Sequence, residues 1–143
     1  MPNTGKVRPY EFTISRSEVS PDGVKRHALL VNGQFPGPAI EANWGDTFEI
    51  TVRNNITSPS EGTAIHWHGL LHKGAPWYDG VPSVDICPIA PGESFKYVFR
   101  ADSYGTSWWH SHYSAQLVDG VWGPMIIRGY VNEQQKLANL THS

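Results

Sequence analysis

Two short stretches of this 143-residue chain carry residues that could do chemistry together. They are Ile65-His66-Trp67-His68-Gly69 and Trp109-His110-Ser111-His112-Tyr113, and they hold four of the seven histidines as two His-x-His pairs. On an extended strand, residues i and i+2 project from one face with Cα atoms about 6.5 Å apart. Each pair therefore presents two imidazoles side by side, and if the two strands meet, four converge on one place. A single His-x-His is commonly two polar residues on a solvated strand face. Two pairs in Trp-rich, apolar surroundings are different, because buried imidazoles need partners. Protonated together they would repel, whereas neutral rings around a metal ion are satisfied ligands. The pattern points to a metal site. An all-imidazole donor set suits copper or zinc and does not choose between them.

Other site types are constrained by the same residues. A blue-copper centre needs a Cys and two His, usually with a weak axial Met. Here Cys87 is followed by Pro88-Ile89-Ala90-Pro91 with no nearby His, and the only methionines are Met1 and Met125, so that site is absent from this chain. A three-histidine zinc site with an open position fits the ligand count. A cluster of more than one metal fits four histidines better, with its remaining positions filled from elsewhere. A single cysteine excludes an internal disulfide and an all-Cys zinc site. On its own, Cys87 reads as a buried free thiol. Asp79, by spacing alone, is a turn residue before Gly80. His72 falls in the loop after Gly69 and is expected to face solvent, while His27 and His142 lack any motif and are expected at the surface. Ser111 points to the strand face opposite its flanking histidines, which argues against a Ser/His/Asp triad. Trp67, Trp108 and Trp109 are expected to pack around the imidazoles and hold them.

The elements that must position these residues read as short strands. Tyr10, Phe12 and Ile14 alternate with polar neighbours, as do Phe48, Ile50 and Val52, and Phe95, Tyr97 and Phe99. Breakers separate them: Pro21-Asp22-Gly23, Asn32-Gly33, Pro36-Gly37-Pro38, Trp44-Gly45-Asp46 and Pro91-Gly92. No segment keeps a helical period, and Lys73 to Glu93 reads as one long loop of the kind that usually serves a function. Fourteen Gly, eleven Pro and seventeen aromatic residues (six Trp, six Tyr, five Phe) fit the same picture. An all-β sandwich or barrel is expected, with residues 1–130 as one domain and 131–143 as a linker or tail cut short. At 39% hydrophobic and 17% charged residues the chain is neither disordered nor a membrane protein. A net charge of −2 without a basic run gives no support for nucleic-acid or anionic-membrane binding. No apolar stretch approaches the roughly 18 residues of a membrane span. The N-terminus lacks a secretory h-region, so the protein is expected to be intracellular or to have lost a leader. Asn55-Ile56-Thr57 and Asn139-Leu140-Thr141 fit the N-glycosylation pattern and lean toward secretion.

Taken in order, these motifs resemble a known family. His66-Trp67-His68-Gly69, Trp77-Tyr78-Asp79-Gly80-Val81, Cys87-Pro88-Ile89, Gly105-Thr106-Ser107-Trp108-Trp109-His110-Ser111-His112, Gln116, Asp119-Gly120 and Gly123-Pro124 resemble the first domain of multicopper oxidases. The fungal, ascomycete-like laccases are the nearest subgroup. Val31-Asn32-Gly33-Gln34-Phe35-Pro36-Gly37-Pro38 and Trp44-Gly45-Asp46 extend the likeness, which runs from about Phe12 to Arg128. The resemblance implies a Greek-key β-sandwich of cupredoxin type. It implies His66 as a ligand of a type 2 copper, and His68, His110 and His112 as ligands of a type 3 pair. It implies a proton relay at Asp79, and for Cys87 a disulfide to the C-terminal region of the full-length members. The implied partners are dioxygen, a phenol-like reductant and further cupredoxin domains carrying the other four histidines and the type 1 copper. Val118 stands where some laccases have a cysteine linking their first two domains. Because the chain stops near the end of the first domain, a fragment of a secreted oxidase is expected. A stand-alone, non-catalytic copper-binding sandwich is the alternative.

Overall fold

The computed structural model describes residues 4–129; the expected tail at 131–143, with His142 and Asn139, lies outside the described residues. Among the described residues eight strands are formed: β1 (Val7–Val19), β2 (Arg26–Val31), β3 (Ile40–Asn43), β4 (Thr47–Asn54), β5 (Ile65–Trp67), β6 (Ser94–Arg100), β7 (Gly105–Ser111) and β8 (Trp122–Arg128). They make two four-stranded sheets, ordered β2-β1-β4-β6 and β3-β8-β7-β5. Every connection from β2 to β7 crosses from one sheet to the other, and only β1–β2 and β7–β8 join strands within a sheet. Two pairings are parallel, β1 with β4 and β3 with β8. The only helical element among the described residues is a 3-10 turn, Pro76–Tyr78, inside the long Lys73–Glu93 loop.

The period-two patterns place the core. Phe12 and Ile14 of β1, Phe48, Ile50 and Val52 of β4, and Tyr97 and Phe99 of β6 point inward and are buried. From the facing sheet come Ile65 and Trp67 of β5, Trp109 of β7, and Met125 and Ile127 of β8. Phe12 meets Trp109 with ring centroids 4.5 Å apart, and Trp67 packs on Phe99 at 5.0 Å, so large aromatics bridge the layers. Aromatic bulk also dictates two glycines. A Cβ on Gly37 or Gly123 would stand 2.5 Å from the Trp109 ring. The indole is thus pinned between two chain segments, with its Nε1–H donated to the Pro38 carbonyl at 3.0 Å. Fixing Trp109 fixes the register of its neighbours, His110 included.

Candidate metal centre

The two histidine pairs lie on adjacent antiparallel strands, β5 and β7. Their register sets Ile65 opposite Ser111, His66 opposite His110, and Trp67 opposite Trp109. Backbone bonds continue it on both sides, from the His68 N–H to the Trp108 carbonyl at 3.1 Å and from the His112 N–H to the Ala64 carbonyl at 3.0 Å. Alternation then sorts the side chains into two faces. Ile65, Trp67, Trp109 and Ser111 turn inward and are buried. The four histidines turn outward as one group.

His66 is the hub of that group. Its ring centroid is 5.4 Å from His68, 5.3 Å from His110 and 5.8 Å from His112. His68 and His110 are 5.7 Å apart, and His110 and His112 6.1 Å. One ring nitrogen each from His66, His68 and His110 falls within 4.8 Å of the others, while His112 stands at the edge of this triad. The two central rings are oriented from behind. His66 Nδ1 is 2.8 Å from the Asp79 carbonyl, and His110 Nδ1 is 3.0 Å from the Ser111 carbonyl. Each Nδ1–H donates to a carbonyl, which leaves each Nε2 lone pair free for an ion. Burial holds the His110 ring below the ordinary histidine range; the Ser111 carbonyl pulls the other way, and the three neighbouring imidazoles depress it further. A cluster of neutral rings with freed nitrogens is a donor set that a copper or zinc ion would satisfy.

The inward face is closed in the opposite sense. Ser111 Oγ and Thr63 Oγ1 both donate to Gln116 Oε1 at 2.8 Å, and Gln116 Nε2 donates to the Gly62 carbonyl at 2.8 Å. Ser111 therefore faces away from its flanking histidines and braces β7 from behind. Of the tryptophans expected to hold the imidazoles, only Trp108 touches them, its ring tilted against His110 at 4.2 Å between centroids and against His68 at 5.6 Å. Trp67 and Trp109 lie on the core side of the strands, because they fall in the other phase of the alternation.

The Asp79–Gly80 turn packs directly on β5. A Cβ on Gly80 would stand 1.8 Å from the Ile65 carbonyl oxygen, and its φ of +79° suits glycine. This close approach brings Asp79 to His66 through two atoms. Besides the carbonyl contact, Asp79 Oδ1 lies 3.3 Å from His66 Nδ1. The same oxygen lies 3.7 Å from His72 Nε2.

Two expectations are corrected. His72 does not face solvent: its side chain is 2% exposed, packed edge-on against Phe99 at 5.0 Å. The loop after Gly69 folds back under β6, and nothing in Leu71-His72-Lys73-Gly74 signals that return. Cys87 is an exposed free thiol rather than a buried one, because it lies outside any strand in the long loop. His27 is exposed.

Residues 13–131 match the multicopper oxidase family. The chain is 54% identical over 125 residues to the dihydrogeodin oxidase of Aspergillus terreus, covering 87% of this chain and 20% of that protein. It is 52% identical over 128 residues to laccase-2 of Botryotinia fuckeliana, covering 90% and 22%. The crystal structure of the laccase from Botrytis aclada superposes with a TM-score of 0.83 at 50% identity, covering 87% of this chain and 23% of that one. The chain thus spans about a fifth of the length of the curated relatives it matches.

Proposed function

The chain belongs to the multicopper oxidase family, and from that premise we propose that it is the N-terminal cupredoxin domain of a laccase-like oxidase. Residues 1–130 form that domain, and 131–143 lead toward the rest of the protein. His66, His68, His110 and His112 supply half the histidine ligands of a trinuclear copper centre, His66 to the type 2 ion and the other three to the type 3 pair. Copper bound there would supply the electron transfer that reduces dioxygen to water while a phenol-like molecule is oxidised at a type 1 site elsewhere in the oxidase. The full protein is secreted. Among the described residues, no helix is long and apolar enough to cross a membrane.

One observation carries this reading: the direct register of His66 against His110, which makes one cluster of two separate motifs. The residues around the cluster have separable tasks. The Asp79 and Ser111 carbonyls aim two Nε2 atoms forward. Trp108 covers His110 and keeps water off that side of the ring. The Asp79 carboxylate is 31% exposed, so Oδ1 reaches both water and His66 and can hold or pass a proton beside the site.

The test is a whole oxidase carrying this domain, with His68→Ala and His110→Ala combined. Copper content is expected to fall, and oxygen uptake with a phenol to drop to background. Normal uptake would remove the proposal. Metal analysis after growth with copper and zinc together tells an oxidase centre from a zinc site.

A further inference from the structure

His72 is the feature that the cluster leaves unexplained. Its side chain is almost fully enclosed, yet neither Nδ1 nor Nε2 has a hydrogen-bond partner. The Trp67 carbonyl lies near enough to favour a protonated ring without meeting hydrogen-bond geometry. Its backbone is also unusual, with φ at +43° in a region that non-glycine residues seldom enter. A buried imidazole without a partner weakens a fold, and a left-handed backbone adds strain; both are tolerated where a side chain has a task. The nearest carboxylate is that of Asp79, with Oδ1 3.7 Å from Nε2, and it acts on the ring more strongly than Asp102 does. That carboxylate is part-exposed and can close the gap by a small rotation, whereas the His72 ring is enclosed and packed edge-on against Phe99.

We propose that His72 is a positioning residue for Asp79, its buried and unpartnered imidazole standing against the same carboxylate oxygen that faces His66. The inference rests on Asp79 acting beside His66, as read above. The three groups form an array, His66 Nδ1 to Asp79 Oδ1 at 3.3 Å and Asp79 Oδ1 to His72 Nε2 at 3.7 Å. His66 anchors the outer end on the metal face, and His72 anchors the inner end in the core. An exposed carboxylate would otherwise sample several rotamers; an N–H from the buried side selects the one that leans on His66. An apolar side chain of the same size would fill the space under Phe99 without supplying that N–H.

Two measurements on the chain test this. In metal-free protein labelled with 15N at histidine, Asp79→Ala is expected to shift the His72 ring signals, and unmoved signals would overturn the proposal without any change at His72. In copper(I) titrations against a competing chelator, His72→Leu is expected to weaken binding about tenfold, the lower end of what outer partners of metal ligands contribute. His72→Gln, which keeps an N–H, is expected to restore it. Equal affinity in the Leu variant, or no rescue by Gln, overturns the inference. Asp79→Ala combined with His72→Leu is expected to be no weaker than Asp79→Ala alone, and additive losses would mean that His72 acts by another route. If Asp79→Ala leaves affinity unchanged, the carboxylate does not hold His66 and this inference falls, while the proton role read above stands. If Asp79→Ala weakens binding and His72→Leu does not, the inference alone falls.

Discussion

Asp46 and the histidine face treat polar groups in opposite ways. Asp46 is fully buried and its carboxylate is saturated: it accepts from the Thr4 hydroxyl, from the Lys6 and Asn43 amides at 3.0 and 3.1 Å, and from Arg8 Nε at 2.7 Å. Burial alone would raise its pKa, but the hydrogen bonds from Thr4, Arg8, Asn43 and Lys6 outweigh it and hold the carboxyl well below the usual carboxylate range. On the histidine face, His66 and His110 each have one nitrogen engaged and one left free. A saturated polar cluster tethers chain segments, here the start of β1 to the β3–β4 turn. An unsaturated one waits for something to bind. The difference is the one expected between a cluster that holds the fold and a cluster that takes a ligand.

Removing the saturated cluster should therefore cost stability and leave the histidine face intact. Asp46→Ala strips partners from two amides, the Thr4 hydroxyl and the part-exposed Arg8 guanidinium, and is expected to lower stability by about 2–3 kcal/mol. Urea unfolding followed by tryptophan fluorescence measures this. Copper affinity of the remaining folded protein should match the parent. A changed affinity would show that the corner and the histidine face are coupled, and the division above would not stand.

Gly80→Ala sharpens the division from the other side. A Cβ there collides with the Ile65 carbonyl, and the positive φ adds strain, so the Asp79 turn must lift off β5. A stability loss of about 2 kcal/mol is expected. This time copper binding should weaken as well, since the Asp79 carbonyl moves away from His66 Nδ1. A variant that loses stability but binds copper as before would mean that His66 does not depend on the turn.

Much of this was legible in the residues, and where it was not, the reason is physical. The strands β1, β4 and β6 announce themselves because each has one buried and one polar face. The short β3 and the Pro-containing β8 do not: four residues give too little alternation, and a proline such as Pro124 is uncommon inside a strand. The imidazole pairs were visible because strand periodicity is strict over three residues. Asp46 was visible only as part of a turn, since its partners Thr4, Lys6 and Arg8 lie about forty residues away in sequence. His72 was misread for a related reason. Its burial follows from the path of a loop under Phe99, a tertiary fact that the polar local sequence hides.

The smallest expected effect is a pH dependence, and it separates the two regions by where on the pH axis each one acts. Burial holds His72 and His110 below the ordinary histidine range, so the unfolded chain takes up protons that the folded metal-free chain resists. Their contribution is complete above about pH 6.5 and declines as pH falls through that value toward the lowered folded one. Asp46 is also depressed when folded, but from a lower starting point. Its contribution persists below pH 6 and is lost only as pH falls beneath about 3.9 toward its own folded value. Metal-free stability against pH should thus fall in two steps. His72→Leu should flatten the upper step and leave the lower, while Asp46→Asn should flatten the lower and leave the upper. Urea midpoints taken from pH 8 to pH 2 would show it. A single step abolished by either substitution would mean that carboxylate corner and histidine face titrate as one unit.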